Sequence, residues 1–195
     1  MVDYRGYGKS DGVPTEEGLQ LDALATLRAA VVIAGPDPIF IMGTSLGGAV
    51  AIDLCCKPST KQYVAGVIVE NTFTGISDMV GILFQKMFAA RVGPTFQCFF
   101  IKFVKPIVLW IDWHNMTKVP KITAPMLFLS SAKDELIPPE HMANLYAAAT
   151  SSTSKQFVSF PDAGHNDTYQ RDGYFEHIAR FMEISGRAHR KVVEC

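Results

Sequence analysis

The sequence is short of cysteine and of net charge, and both shortages exclude classes of protein. Its four cysteines show no Cys-x-x-Cys spacing and no paired histidine ligands, which argues against a zinc site and a disulfide framework; they are Cys55, Cys56, Cys98 and Cys195. The 18 Lys and Arg residues are scattered and nearly balance the 19 Asp and Glu residues, giving a net charge of −1. Since no basic stripe is present, a nucleic-acid partner is not expected.

The sequence also lacks an uninterrupted apolar run that could span a bilayer. The most apolar stretch, residues 96–111, is interrupted by Lys102, Lys105 and Pro106 and is shorter than the roughly 20 residues that a transmembrane helix needs. No signal-peptide pattern opens the chain, because polar, turn-forming residues follow Met1 almost at once. The 195 residues, of which 48% are hydrophobic, suffice for the core of one domain, and we expect a single domain over residues 1–195.

Helical and extended patterns alternate along the chain. Short apolar runs at 39–42, 64–69, 125–130 and 156–160 predict strands, whereas residues 15–34, 46–56, 138–149 and 174–184 predict helices, the last followed by a basic tail. This alternation predicts a parallel sheet covered by helices on both faces. Residues 72–118 break the pattern with Phe, Met and Leu at mixed spacing, and we expect a helical, cap-like insertion over the site.

One motif carries a specific chemical prediction. Four apolar residues run into Gly43-Thr44-Ser45-Leu46-Gly47, a Gly-x-Ser-x-Gly pattern, and small residues of helical character follow. This context predicts a nucleophile elbow in which Gly43 and Gly47 give the tight turn its room. Ser45 is then the candidate nucleophile, and the N–H group of Leu46 is the candidate oxyanion donor. A plain strand-to-helix turn without chemistry is the alternative.

A serine nucleophile needs an imidazole to accept its proton and a carboxylate to orient that imidazole. His165 follows the predicted strand that ends at residue 160, and Asp134 follows the one that ends at residue 130. The order Ser45, Asp134, His165 is that of the α/β-hydrolase fold. Asp162 and Glu135 are the rival acids, and for either one the alternative is a solvated loop carboxylate.

Several segments together resemble a known family, the α/β-hydrolase domain-containing protein thirteen group of the Bem-like serine hydrolases. The similar segments are Asp3-Tyr4-Arg5-Gly6-Tyr7-Gly8-Lys9-Ser10, Gly43-Thr44-Ser45-Leu46-Gly47-Gly48, Val69-Glu70-Asn71-Thr72-Phe73, Asp134-Glu135-Leu136-Ile137-Pro138-Pro139 and Gly164-His165-Asn166-Asp167-Thr168. The resemblance covers nearly the whole chain and implies a triad of Ser45, Asp134 and His165. It also implies hydrolysis of acyl esters or thioesters and an N-terminal membrane anchor in the full-length form.

One element of the family pattern is missing from the sequence. Proteins of this kind carry a His-Gly-Asn type segment that supplies a second oxyanion N–H, and no His-Gly dipeptide occurs here. We therefore expect an N-terminally truncated hydrolase domain that lacks its first strands. Such a chain is expected to be a weak catalyst and, through an exposed sheet edge, prone to self-association.

The sequence thus favours a serine hydrolase that needs no metal or organic cofactor and forms an acyl-enzyme. Its expected substrate is an acyl ester or thioester, on a lipid or an acylated protein. A serine peptidase of the same fold remains an alternative. A non-catalytic binding protein that keeps the fold is another.

Overall fold

Four parallel strands form the sheet in the part of the chain that the structure describes. The structure is a computed structural model and describes residues 2–76 and 113–193, with side chains up to residue 190. The strands are β1 (Ile39–Thr44), β2 (Val64–Glu70), β3 (Met126–Ser131) and β4 (Lys155–Phe160), and they lie side by side in chain order. Thr44 pairs with Glu70, Glu70 with Leu129, and Ser131 with Phe160. The carboxyl ends of the strands therefore meet along one edge of the sheet.

Helices connect and cover these strands. They are α1 (Glu16–Ala34), α2 (Leu46–Cys55), the single-turn α3 (Asn115–Lys118), α4 (Pro139–Ala148) and α5 (Tyr174–Val193). Short 3₁₀ turns lie at Pro58–Tyr63, Val119–Lys121 and Thr168–Gln170. The first helix begins where Thr15 Oγ1 accepts a hydrogen bond from the Gly18 N–H at 3.1 Å, a standard N-cap.

The central strands β2 and β3 are buried along their whole length. Their successive residues point to opposite sides of the sheet, so each strand contributes to the packing on both faces. On one face, Val67, Val69 and Phe128 pack in a cluster with residues of α1, α2 and α4. On the other face, Ile68, Leu127 and Leu129 pack with Phe181 and Tyr174 of α5. This three-layer arrangement confirms the predicted parallel sheet with helices on both sides.

The last helix is longer than the sequence predicts. Arg187, Arg190 and Lys191, expected in a basic tail, lie within α5, which continues to Val193. Gly186 is buried close to Phe40, where a Cβ atom would lie 3.5 Å from Phe40 Cζ. At that distance a Cβ atom would make an ordinary van der Waals contact, so the helix is packed against β1 at this point. It continues past residue 184, and the expectation that it stops there is wrong.

Only the ends of the predicted insertion lie within the described residues. Phe73 and Ile76 at its start and Trp113 at its end are buried in the main core cluster. The predicted cap itself lies outside the described residues. Among the helices that the structure describes, none has the length and apolar character to cross a membrane.

Candidate active site

Ser45 lies in a strained turn between β1 and α2. Its backbone φ is 55° and its ψ is −121°, a conformation that a side-chain-bearing residue adopts at a cost of about 1–3 kcal/mol. Two backbone hydrogen bonds hold the turn: Ser45 N–H donates to the Glu70 carbonyl at 2.9 Å, and the Ser45 carbonyl accepts from Gly48 N–H at 3.0 Å. The predicted strand, turn and helix are all present, and this strained serine is the geometry of a nucleophile elbow.

The two glycines of the motif do not play the same part. A Cβ atom on Gly43 would lie 2.1 Å from the carbonyl oxygen of Gly47, so only glycine fits there. At Gly47, by contrast, a Cβ atom meets no heavy atom of the described residues within 4 Å. The prediction that both glycines provide room is therefore confirmed for Gly43, whereas at Gly47 no collision is found among the described residues. A Cβ atom on Gly48, which lies outside the Gly-x-Ser-x-Gly motif, would lie 2.6 Å from Thr72 Cβ.

The N–H group of Leu46 begins α2 directly after the serine. The first N–H groups of a helix have no partner within that helix. Among the described residues, no backbone hydrogen bond from this N–H is found. The same holds for the Ser45 hydroxyl, which does not cap α2.

Asp134 and His165 lie against each other. The imidazole Nδ1 and Asp134 Oδ2 are 2.7 Å apart, and the two side chains are only 10% and 1% exposed. The other carboxylate oxygen, Oδ1, accepts hydrogen bonds from the N–H groups of Leu136 at 2.9 Å and Ile137 at 2.8 Å. These two bonds fix the carboxylate plane. The imidazole faces this carboxylate through Nδ1, so Nε2 is the ring nitrogen on the side away from Asp134.

The rival acids do not reach the imidazole. Asp162 instead pairs with Lys133 at 2.7 Å, and both side chains are largely exposed, at 74% and 65%. The hydrogen bond from Lys133 also holds the pKa of the Asp162 carboxyl below its usual value. Glu135 is exposed to solvent. Of the three carboxylates weighed from the sequence, the structure brings Asp134 to His165.

The His165 loop reaches back across the sheet towards Ser45. The strands β1 and β4 are three strand spacings apart, about 14 Å, so the loop after β4 must cross neighbouring strand ends to approach the serine. It does so as far as the end of β2, where Asn71 Nδ2 donates to the His165 carbonyl at 3.1 Å. The neighbouring Thr72 Oγ1 donates to the Ser45 carbonyl at 2.7 Å. Ser45 and His165 are therefore both anchored to one dipeptide, although no hydrogen bond joins their side chains in the described structure.

A buried hydrogen bond between a carboxylate and a tyrosine hydroxyl lies next to the turn that carries Ser45. Tyr174 at the start of α5 donates its hydroxyl to Glu70 Oε2 at 2.5 Å. Burial, together with this bond, raises the pKa of the Tyr174 hydroxyl. Since the carbonyl of Glu70 binds Ser45 N–H, the pair fixes the strand end that supports the elbow.

No group of three or more potential metal ligands is found among the described side chains.

A strained serine in a strand-to-helix turn of a parallel sheet, with an acid and then a histidine after later strands, is typical of the class of α/β-hydrolase-fold proteins. The comparisons agree with this class. The model of the alpha/beta hydrolase family matches residues 1–177. The chain belongs to this family, and the similarity to Bem-like members, expected from its motifs, is confirmed.

Two relatives illustrate the match and its limits. Protein bem46 of Schizosaccharomyces pombe is 39% identical over 184 residues, which are 93% of this chain and 56% of that protein. The lysophosphatidylserine lipase ABHD12 of Macaca fascicularis is 33% identical over 178 residues, 86% of this chain and 43% of the lipase. The chain thus spans little more than half of the first relative and less than half of the second.

A solved structure matches the fold more distantly. An esterase of Pyrococcus furiosus superimposes with a TM-score of 0.72 at 19% identity, covering 94% of this chain and 68% of that chain. At this identity the likeness shows the α/β-hydrolase fold.

Proposed function

We propose that the protein hydrolyses acyl esters or thioesters. In this proposal Ser45 is the nucleophile, His165 is the general base and then the general acid, and Asp134 is the carboxylate that orients the imidazole. The observation that carries the proposal is the buried Asp134–His165 contact at 2.7 Å, with the carboxylate held by two backbone N–H groups. The strained conformation of Ser45 supports it, because such strain is kept where a side chain must be presented to a ligand.

The reaction follows from these positions. Ser45 Oγ attacks the acyl carbonyl as His165 Nε2 accepts the hydroxyl proton, and the same nitrogen then donates that proton to the departing alcohol or thiol. The acyl group is left on Ser45 as an ester. Water, deprotonated by His165, attacks this acyl-enzyme, and the acid product leaves as the serine recovers its proton. The N–H of Leu46 stabilises the oxyanion in both steps.

An ester of a lipid is the substrate class that the relatives favour. A lysophosphatidylserine lipase is 33% identical to the chain, and a lipase acts on carboxylic esters. Membrane association, implied by the resemblance, fits such a substrate and stays a prediction. A thioester or an acylated protein would use the same attack on an acyl carbonyl.

Turnover of p-nitrophenyl acetate by the 195-residue chain tests the proposal, with Ser45→Ala as the decisive variant. We expect slow but measurable turnover that Ser45→Ala lowers by about 10⁴-fold or to background. Ser151→Ala, in the loop before β4, is the matched control and should leave the rate unchanged. Equal rates in Ser45→Ala and the parent chain would remove Ser45 from the mechanism. Turnover of peptides but not of esters would favour a peptidase instead.

A further inference from the structure

The segment Glu70-Asn71-Thr72 at the end of β2 is not part of the proposed triad, yet it contacts both ends of it. Asn71 has a backbone φ of 44°, in the left-handed region that asparagine tolerates better than most residues. This turn directs the Asn71 side chain towards the His165 loop, whereas the next residue, Thr72, faces the elbow. The Asn71 side chain therefore contacts the backbone of His165, and the adjacent Thr72 side chain contacts the backbone of Ser45.

Asn71 is a buried hub of hydrogen bonds. The residue is 1% exposed, and its Oδ1 accepts a hydrogen bond from the Ser131 N–H at 2.9 Å. Its Nδ2 lies within 3.0 Å of Ser131 Oγ, 3.1 Å of the His165 carbonyl and 3.0 Å of Thr168 Oγ1. The amide therefore joins the ends of β2 and β3 to the loop that carries His165. The NH2 group has two N–H donors for these three oxygens, and the His165 carbonyl is the one oxygen among them that carries no hydrogen.

Thr72 is fully buried and holds the elbow. Its hydroxyl donates to the Ser45 carbonyl at 2.7 Å, and its N–H donates to Met142 Sδ at 3.2 Å. The absence of a side chain on Gly48 lets Thr72 approach α2 this closely. The Ser45 carbonyl also accepts from Gly48 N–H, so it keeps a partner if the Thr72 hydroxyl is removed. The hydroxyl is thus not needed to satisfy that carbonyl; it fixes where the elbow lies relative to β2.

We propose that Asn71 and Thr72 are positioning residues that set the distance between His165 and Ser45 by holding their backbone carbonyls. The inference rests on the proposed function, because it concerns the same two reacting side chains. Neither residue needs to touch substrate. A displacement of about 1 Å between reacting groups costs on the order of 10²-fold in rate, so loss of either tether should lower the rate of attack while leaving substrate binding unchanged.

The Thr72 arm of the test compares Thr72→Val, which keeps the shape and loses the hydroxyl, with Thr72→Ser, which keeps the hydroxyl. The probe is an alkyl fluorophosphonate, and the measurement is its rate of covalent attachment to Ser45 by intact mass. We expect Thr72→Val to label about tenfold more slowly or worse and Thr72→Ser to stay within about threefold of the parent chain. With p-nitrophenyl acetate, kcat should fall and KM should not change.

The Asn71 arm uses Asn71→Asp. The aspartate tolerates the same φ and still accepts from Ser131 N–H, and both hydroxyls can turn to donate to its second oxygen. The contact with the His165 carbonyl becomes a repulsion, and the hydrogen bond between the hydroxyls of Ser131 and Thr168, now 2.8 Å, is lost. We expect labelling about tenfold slower or worse. If this variant does not fold, which a thermal melt shows, the Thr72 pair decides the proposal alone.

The control is Thr60→Val, which removes another buried threonine hydroxyl that donates to a backbone carbonyl, that of Leu54 at 2.8 Å. It should lower the melting temperature without slowing labelling. If Thr72→Val slows labelling no more than Thr60→Val does, the positioning role is wrong. If the parent chain itself is not labelled at Ser45, the proposed function is wrong, and the positioning inference, which rests on it, is wrong as well.

Discussion

A Cβ atom on Gly43 would lie 2.1 Å from the carbonyl oxygen of Gly47, so the strand before the serine and the helix after it touch through backbone alone. We predict that Gly43→Ala forces the turn apart and costs about 3 kcal/mol or more of unfolding free energy. Urea denaturation measures the loss.

Gly47→Ala is the matched control for that prediction. Its Cβ has open space among the described residues, and alanine is favoured over glycine in a helix by up to about 1 kcal/mol. We expect Gly47→Ala to be as stable as the parent chain or slightly more stable. Equal destabilisation by both substitutions would contradict the asymmetry of the two glycines.

The proposed role of Asp134 in orienting His165 makes a second prediction. Asp134→Asn keeps the size of the side chain but removes the charge that selects the imidazole tautomer, so turnover of p-nitrophenyl acetate should fall by about 10³- to 10⁴-fold. Asp162→Asn and Glu135→Gln, which change the rival acids, should stay within about threefold of the parent chain. A large loss in either of these variants, with Asp134→Asn active, would reverse the assignment.

The Tyr174–Glu70 pair predicts a pH-dependent contribution to stability. Tyr174→Phe removes the donor to a buried carboxyl and should cost about 1–3 kcal/mol near pH 7. Because folding raises the pKa of the Tyr174 hydroxyl, its contribution is fully present below the tyrosine pKa of the unfolded chain, about 10, and is lost as the pH rises through the folded value.

Melting temperatures of the two proteins between pH 7 and pH 11 check this sign. The parent chain should lose stability more steeply than Tyr174→Phe above about pH 10, so the difference between them narrows. A difference that stays constant or widens with alkaline pH would show that the hydroxyl does not stabilise the fold in its protonated form.

Most of the architecture could be predicted because it depends on local pattern. The apolar runs placed all four described strands within two residues of their observed bounds. The end of α5 could not be predicted in this way. Ser185 and Gly186 resemble a helix stop in sequence, but in the fold both are buried, and Gly186 lies against Phe40 of a strand that precedes it by well over a hundred residues.

The same distinction applies to the site. Ser45, Asp134 and His165 could be selected because each follows a strand and has the chemistry that hydrolysis needs. Asn71 and Thr72 could be noticed only as part of a motif, since their partners are distant in sequence: Asn71 and His165 are 94 residues apart. An asparagine and a threonine after a strand look like an ordinary turn until the fold brings those partners together.

A fourth prediction concerns the apolar and methionine-rich segment 72–118. If this segment accepts an acyl chain, turnover should depend on chain length across p-nitrophenyl esters from acetate to palmitate, with a maximum beyond acetate. The assays are run without detergent and below the micellar concentration of each ester, so that every ester is compared in its monomeric form. A flat profile would assign the segment a role in the core rather than in substrate binding.

The central claim is that Ser45 is an activated nucleophile, and site-resolved labelling tests it most directly. The 195-residue chain is incubated with an alkyl fluorophosphonate, and the adduct is located by peptide mass spectrometry. The account predicts one adduct on Ser45, slowed by about 10²-fold or more in His165→Ala, because the imidazole must take the serine proton. A chain that stays unlabelled at Ser45, or one labelled equally fast without His165, would contradict it.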